Sequence, residues 1–163
     1  MIGHRIAVEL GVKFRSDVSG TINGIRFYKA STNTGTHVGN FWSSAGTLLA
    51  TATFTNETAS GWQQVSFATP VAIKANTVYV VSYHAPVGRY AINEGYFATA
   101  YTKDPLRALS NTEAGGNGVY RYDGIPMKWT RIADQAQEIY AGGCGLYRHI
   151  LPAMHQKLEG RRV

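Results

Sequence analysis

Cysteine is almost absent from this sequence: Cys144 is the only one in 163 residues. No intrachain disulfide can therefore form, and a domain of this length buries enough surface to need none. Long apolar runs are absent too, and nothing approaches the roughly 18 consecutive residues that span a membrane. Met1 to Leu10 carries His4, Arg5 and Glu9, where a secretory leader needs an unbroken apolar core. Catalytic signatures are equally scarce. There is no Gly-x-Ser-x-Gly, no His-Glu-x-x-His and no phosphate loop, so the spacing of residues selects no nucleophile, base or nucleotide site. Neither His37 nor His84 has a His-x-His or Cys-x-x-Cys companion to complete a zinc site. No repeat of roughly 20–50 residues is present, which argues against a propeller or solenoid. The expectation from these absences is a protein that is not an enzyme and holds no cofactor or metal.

What is present is a period of two. From Val8 to Tyr122 short alternating runs are broken by Gly, Asn, Thr and Pro. In Ala7 to Arg15, Val8, Leu10, Val12 and Phe14 alternate with Glu9, Gly11, Lys13 and Arg15. That pattern predicts a strand with one buried and one wet face. Further strands are expected at Gly24 to Ala30, Val38 to Trp42, Leu48 to Thr55, Trp62 to Phe67, Val71 to Ile73, Val78 to His84, Tyr90 to Ile92 and Val119 to Tyr122. Ser43-Ser44-Ala45-Gly46 should close a hairpin, and Pro70 should end pairing because it lacks the ladder donor. Near-continuous apolar content in Val78 to His84 predicts a central strand buried on both faces. A loop or short helix is expected around Leu106 to Leu109. Strands at this spacing define an all-β, antiparallel β-sandwich of jelly-roll or immunoglobulin-like type.

The net charge of +6 invites a nucleic-acid hypothesis. Residues 1–125 carry ten Lys/Arg and seven Asp/Glu, or +3; residues 126–163 carry six and three, the other +3. Less than a quarter of the chain supplies half the excess. In the first part Lys13, Arg15, Arg26, Lys29, Lys74, Arg89, Lys103, Arg107 and Arg121 lie singly, as on a solvated surface. No nucleic-acid partner and no membrane insertion is expected.

Several runs occur in a recognisable order: Glu9-Leu10-Gly11-Val12-Lys13-Phe14-Arg15-Ser16, Gly24-Ile25-Arg26-Phe27-Tyr28-Lys29, Asn33-Thr34-Gly35-Thr36-His37-Val38-Gly39, Gly46-Thr47-Leu48-Leu49-Ala50, Ser60-Gly61-Trp62-Gln63-Gln64-Val65 and Tyr83-His84-Ala85-Pro86. Gly95-Tyr96-Phe97-Ala98 and Asn117-Gly118-Val119-Tyr120-Arg121-Tyr122 continue it. Together they resemble bacterial domain-of-unknown-function family 4082 over about Val8 to Pro126. The resemblance implies an all-β module carried in large exported bacterial proteins beside immunoglobulin-like repeats, extracellular or at the cell surface, with no established activity. The family pattern closes on a Tyr-Trp-Val-Asp-Val-Val-Phe strand that this sequence lacks. We therefore expect a sandwich domain over 1–126 and an atypical tail over 127–163, with a short helix near Ile132 to Tyr140. A one-nucleotide shift within the codons of Ala141 to Arg148 permits a Val-Asp-Val-Val-Phe-Thr reading, and the gene sequence tests that origin. Otherwise Ile132, Ile139, Leu146, Ile150 and Leu151 would have to cover the exposed apolar face.

Sugars stack their C–H faces on flat aromatic rings, while Asn, Asp and Arg bond the hydroxyls. Tyr96, Tyr120, Tyr122, Trp62 and Tyr90 are the candidate ligand-binding residues on that reasoning, although aromatics also fill sandwich cores. A loop Ca²⁺ drawn from Asp17, Asn23, Asn93, Glu94, Asp104 and Asp123 would use oxygen ligands, but no dense Asp-x-Asp run supports it. The reading that results is a non-catalytic accessory or adhesion module that binds carbohydrate and has neighbouring domains as partners. A structural spacer is the alternative, and a glycan-active enzyme comes third.

Overall fold

The computed structural model describes residues 6–91, 96–123, 130–131 and 141–142. The strands are β1 (Val8–Ser16), β2 (Gly20–Lys29), β3 (Val38–Ser43), β4 (Leu48–Thr53), β5 (Gly61–Ile73), β6 (Tyr79–Ala85), β7 (Tyr101–Lys103), β8 (Leu106–Ala108), β9 (Val119–Tyr122), β10 (Thr130–Arg131) and β11 (Ala141–Gly142). One short helix, α1 (Asn111–Ala114), is interposed. Among the described residues, one sheet has the order β10-β9-β1-β6-β3-β4, with the β7–β8 hairpin joined to β1, and the second has the order β11-β2-β5. Every pairing is antiparallel. The chain is an all-β antiparallel sandwich.

Alternation decides what fills the space between the sheets. Leu10, Val12 and Phe14 of β1 and Val81 and Tyr83 of β6 meet Ile22, Ile25 and Phe27 of β2 in one buried cluster. Phe27 stacks on Tyr83 at 4.2 Å between ring centroids and meets Phe54 edge-on at 4.9 Å. These contacts bridge the two sheets, and aromatic pairs of this kind contribute about 0.5–1.5 kcal/mol beyond the area they bury. Gly39 of β3 lies under Ile25, where a Cβ would come within 1.9 Å of Ile25 Cδ1. The missing side chain lets the sheets close.

Four local expectations need correction. Pro70 does not end β5: pairing with β2 stops at Ser66 and resumes at Val71. The proline thus sits in a bulge, where no ladder donor is required. No strand forms at Tyr90, which lies in a loop; Ile92 lies outside the described residues. Leu106–Ala108 is a strand rather than a loop or helix, because it pairs with both β7 and β1. Finally, the second face of β1 is not wet. Glu9 is buried, because Trp42, Val80 and Val119 form a second small apolar cluster on that side of the sheet.

Val38–Ser43 and Leu48–Thr53 form the expected hairpin. β6 is central, between β1 and β3, and buried from Tyr79 through Tyr83. β10 pairs with β9, and Ala141–Gly142 pairs with Phe27 and Arg26 of β2. The helix expected near Ile132 to Tyr140 lies outside the described residues.

Candidate functional site

Among the described residues three groups of side chains stand out, two positioned by the sheet register and one by the loops at a rim. The first lies on the solvent side of the second sheet. Tyr28 of β2 is directly opposite Trp62 of β5, and Arg26 is opposite Gln64. All four therefore share the face away from Phe27. Tyr28 meets Trp62 edge-on at 5.6 Å, and the Arg26 guanidinium lies over the Trp62 ring, 5.6 Å from its centroid. Tyr28, Trp62 and Arg26 are half-buried and Gln64 is exposed. The two rings stand nearly perpendicular, at 84°, with the guanidinium over one face of Trp62 and the Gln64 amide alongside.

The second group is buried between β1, β3 and β6 on the far face of the first sheet. Asn40 Nδ2 donates to Glu9 Oε1 at 2.8 Å, the Ser82 hydroxyl donates to the same oxygen, and Trp42 Nε1 donates to Ser82 Oγ at 2.7 Å. The Arg121 guanidinium covers the Trp42 ring at 5.5 Å. Burial pushes the Glu9 carboxyl above its usual range, against the lowering effect of the bonds from Asn40 and Ser82 and the charges of His84 and Arg121. A raised folded-state value means that the folded protein holds the proton more tightly than the unfolded chain. The stability this contributes is present below the ordinary carboxylate range and is lost as pH rises through the folded value. Glu9→Gln keeps an acceptor for Asn40 and Ser82 and removes the charge. It is expected to melt higher than the wild type at neutral pH, with the gap narrowing toward pH 4.5; melts across that range check it, and a gap widening on acidification would overturn it.

The third group ties two loops at one rim. Glu57, between β4 and β5, accepts from Lys29 Nζ at 2.9 Å, from the backbone N–H of His37 at 3.1 Å and from His37 Nδ1 at 2.7 Å. His37 is fully buried and its Nε2 lies 2.8 Å from Asn33 Oδ1. As placed, the Asn33 amide leaves its Nδ2 buried with no partner. Turned over, it donates to Nε2 and the orphaned donor is gone. That arrangement suits a neutral ring with Nδ1–H on the carboxylate. It agrees with the His37 pKa, which burial lowers despite the opposing influence of Glu57. Burial alone would raise the Glu57 carboxyl, but the bonds from Lys29 and His37 bring it below its usual value. Lys29, expected on a solvated surface, is buried in this ion pair.

The aromatic residues expected to meet a ligand do not form one cluster. Tyr96 is 7% exposed and packs edge-on against Phe97 in the core. Tyr90 and Tyr120 are half-buried at the margin of that core. Tyr122 is 43% exposed and meets Tyr120 edge-on at 5.3 Å. Trp62 stands apart on the second sheet. Tyr96 thus fills space rather than presenting a surface, because the segment carrying it folds against the core. Of the Ca²⁺ candidates, Asp123 is engaged by His84 at 3.1 Å, and Asn93 and Glu94 lie outside the described residues. Among the described residues no three His, Cys, Asp or Glu side chains converge. The Glu9 and Glu57 networks were not visible in the sequence. His37 is 20 positions from Glu57 and Lys29 is 28, with no motif spacing to link them.

Fold and sites together define an all-β sandwich domain whose buried carboxylates are occupied by internal hydrogen bonds. A family model described as a domain of unknown function (DUF4082) matches residues 2–133, and the chain belongs to that family. No curated protein and no solved structure matches it. No helix among the described residues is long and apolar enough to cross a membrane.

Proposed function

We propose that this domain is a non-catalytic accessory or adhesion module of an exported bacterial multidomain protein, and that it binds carbohydrate on the solvent face of β2 and β5. The supporting observation is the juxtaposition of Tyr28, Trp62, Arg26 and Gln64 on one face of the sheet, which brings two aromatic side chains together with hydrogen-bond donors. Aromatic surface binds the apolar face of a pyranose, and the guanidinium and amide bond its hydroxyls or a carboxylate. A non-catalytic reading agrees with the state of the two buried glutamates, since a general acid or base must reach substrate and both are enclosed by their partners.

Titration of the whole chain against a broad glycan panel tests the proposal. Saturable binding is expected, weakened about tenfold or more by Trp62→Ala or Tyr28→Ala and unchanged by Tyr122→Ala. Silence across the panel would leave the structural spacer as the better reading. Binding lost with Tyr122→Ala and retained in Trp62→Ala would move the site to the β9 margin.

A further inference from the structure

Strand register sets two arginines against each other. Arg15 of β1 is directly opposite Arg107 of β8, and Arg107 is in turn opposite Thr102 of β7. Phe14 and Leu106, each one position along, enter the core, so Arg15, Arg107 and Thr102 share the outer face of the sheet. Like charges opposed on adjacent strands are unfavourable, and the carboxylate at hand serves only one of them. Glu113 Oε1 accepts from Arg107 Nη2 at 2.5 Å, while its Oε2 accepts from the Ser110 N–H at 2.9 Å. Arg107 Nη1 donates to Thr102 Oγ1 at 3.1 Å. The Arg15 guanidinium bonds to no described residue, and the Nε atoms of Arg15 and Arg107 are both buried without a partner. Asp17 and Asp104, the nearest acids in sequence, are exposed, and among the described residues they pair with neither guanidinium.

We propose that Arg15, Arg107 and Thr102 form a binding site for a sulfate or phosphate group on the outer face of β1 and β8. Two guanidiniums against one carboxylate leave an excess positive charge there, which an anion balances. Buried donors are almost always answered in folded proteins, and here two N–H groups at one spot are not. A guanidinium presents its donors as a planar fork suited to oxyanions. A tetrahedral anion has oxygens enough for a fork from each arginine, where a carboxylate's two oxygens are matched by one. The Thr102 hydroxyl accepts from Arg107 and keeps its own proton to donate. This site is separate from Tyr28 and Trp62 on β2 and β5, and it does not depend on carbohydrate binding there.

NMR titration of the full chain with sodium sulfate or phosphate, at constant ionic strength to hold screening fixed, tests the site. The Nε–H resonances of Arg15 and Arg107 should shift saturably, while the amides around Arg89, an exposed arginine beyond the end of β6, stay in place. Arg15 has no side-chain partner to strand, so Arg15→Gln should fold normally and bind about tenfold more weakly. Arg15→Lys, which keeps the charge and loses the fork, should be weakened too. A sulfated polysaccharide distinguishes the sources of the group. Binding tighter per sulfate than that of the inorganic ion assigns the site to a polymer-borne group, and equal binding assigns it to the free ion. Shifts that never saturate, or that are as large around Arg89, overturn the proposal. So does an affinity indifferent to both Arg15 variants, or one lost in Trp62→Ala.

Discussion

Glu57→Ala is expected to lower the stability of the domain by about 3–5 kcal/mol, the usual result of removing one partner from a buried ion pair. The carboxylate answers three donors: Lys29 Nζ, the His37 backbone N–H and the His37 ring. The Lys29 and Glu57 side chains are only 9% and 10% exposed. Alanine leaves the ammonium enclosed without a counter-charge and the His37 amide without an acceptor. For a domain of this size the loss corresponds to roughly 10 °C in melting temperature. Thermal and urea melts measure it. Combining Glu57→Ala with Lys29→Met should recover part of the loss, because the stranded charge is then gone; a loss below about 1 kcal/mol would show that water reaches the site and that the clasp is superficial. The pH dependence has a defined sign. His37 and Glu57 both have folded values below their ordinary ones, so their contribution is present above the unfolded values. It is lost as pH falls, first through the histidine below 6.5 and then through the carboxylate below 4.5. Below pH 4.5 the variant should therefore lose stability less steeply than the wild type does, whereas in the histidine window above it the loss should be no smaller, because Glu57 itself raises the His37 value. This is the opposite trend to that of Glu9.

Asn117→Ala should be nearly as damaging, at about 3 kcal/mol, since it takes the partner from the Lys13 N–H and the Leu109 carbonyl. β1 pairs with β9 over Val8 to Gly11 and with β8 over Phe14 to Ser16, which leaves a gap between the two. The Asn117 side chain fills it in the manner of a strand residue. Its Oδ1 accepts from the Lys13 N–H at 3.0 Å, and its Nδ2 donates to the carbonyls of Lys13 at 2.8 Å and Leu109 at 2.6 Å. Asn117 is fully buried, so water cannot replace those bonds without opening the sheet. Asn117→Asp preserves the acceptor but turns an oxygen toward two carbonyls, and it should be at least as destabilising as alanine. Exchange of the Lys13 amide should accelerate sharply in both variants. An aspartate variant as stable as the wild type would contradict this account.

How far the fold could be read in advance varied with the range of the interaction responsible. β1, β3, β4, β6 and β9 were visible because period two is a local property, and Val8, Leu10, Val12 and Phe14 display it without help from the rest of the chain. The course of β5 through Pro70 was not, because a proline is tolerated only where the opposing strand makes no demand on it. That depends on the bulge at Asn23 of β2. Residues 106–108 read as loop or helix because a three-residue strand has no period of its own, and β1 and β7 make it one. Among the candidate site residues, Trp62 emerged on an outer face and Tyr96 in the core. Both are aromatic residues beside glycine in sequence, and nothing local separates them.

The sequence by itself determined that this chain is an antiparallel β-sandwich of the DUF4082 family, because side-chain alternation and turn chemistry act between near neighbours and are written in order. Only the tertiary structure decided which polar residues are enclosed and with whom. Glu9 meets Ser82 across 73 positions and Lys13 meets Asn117 across 104. Such partners are chosen by strand register, and a hydrogen bond depends on a few tenths of an ångström in space rather than on distance along the chain.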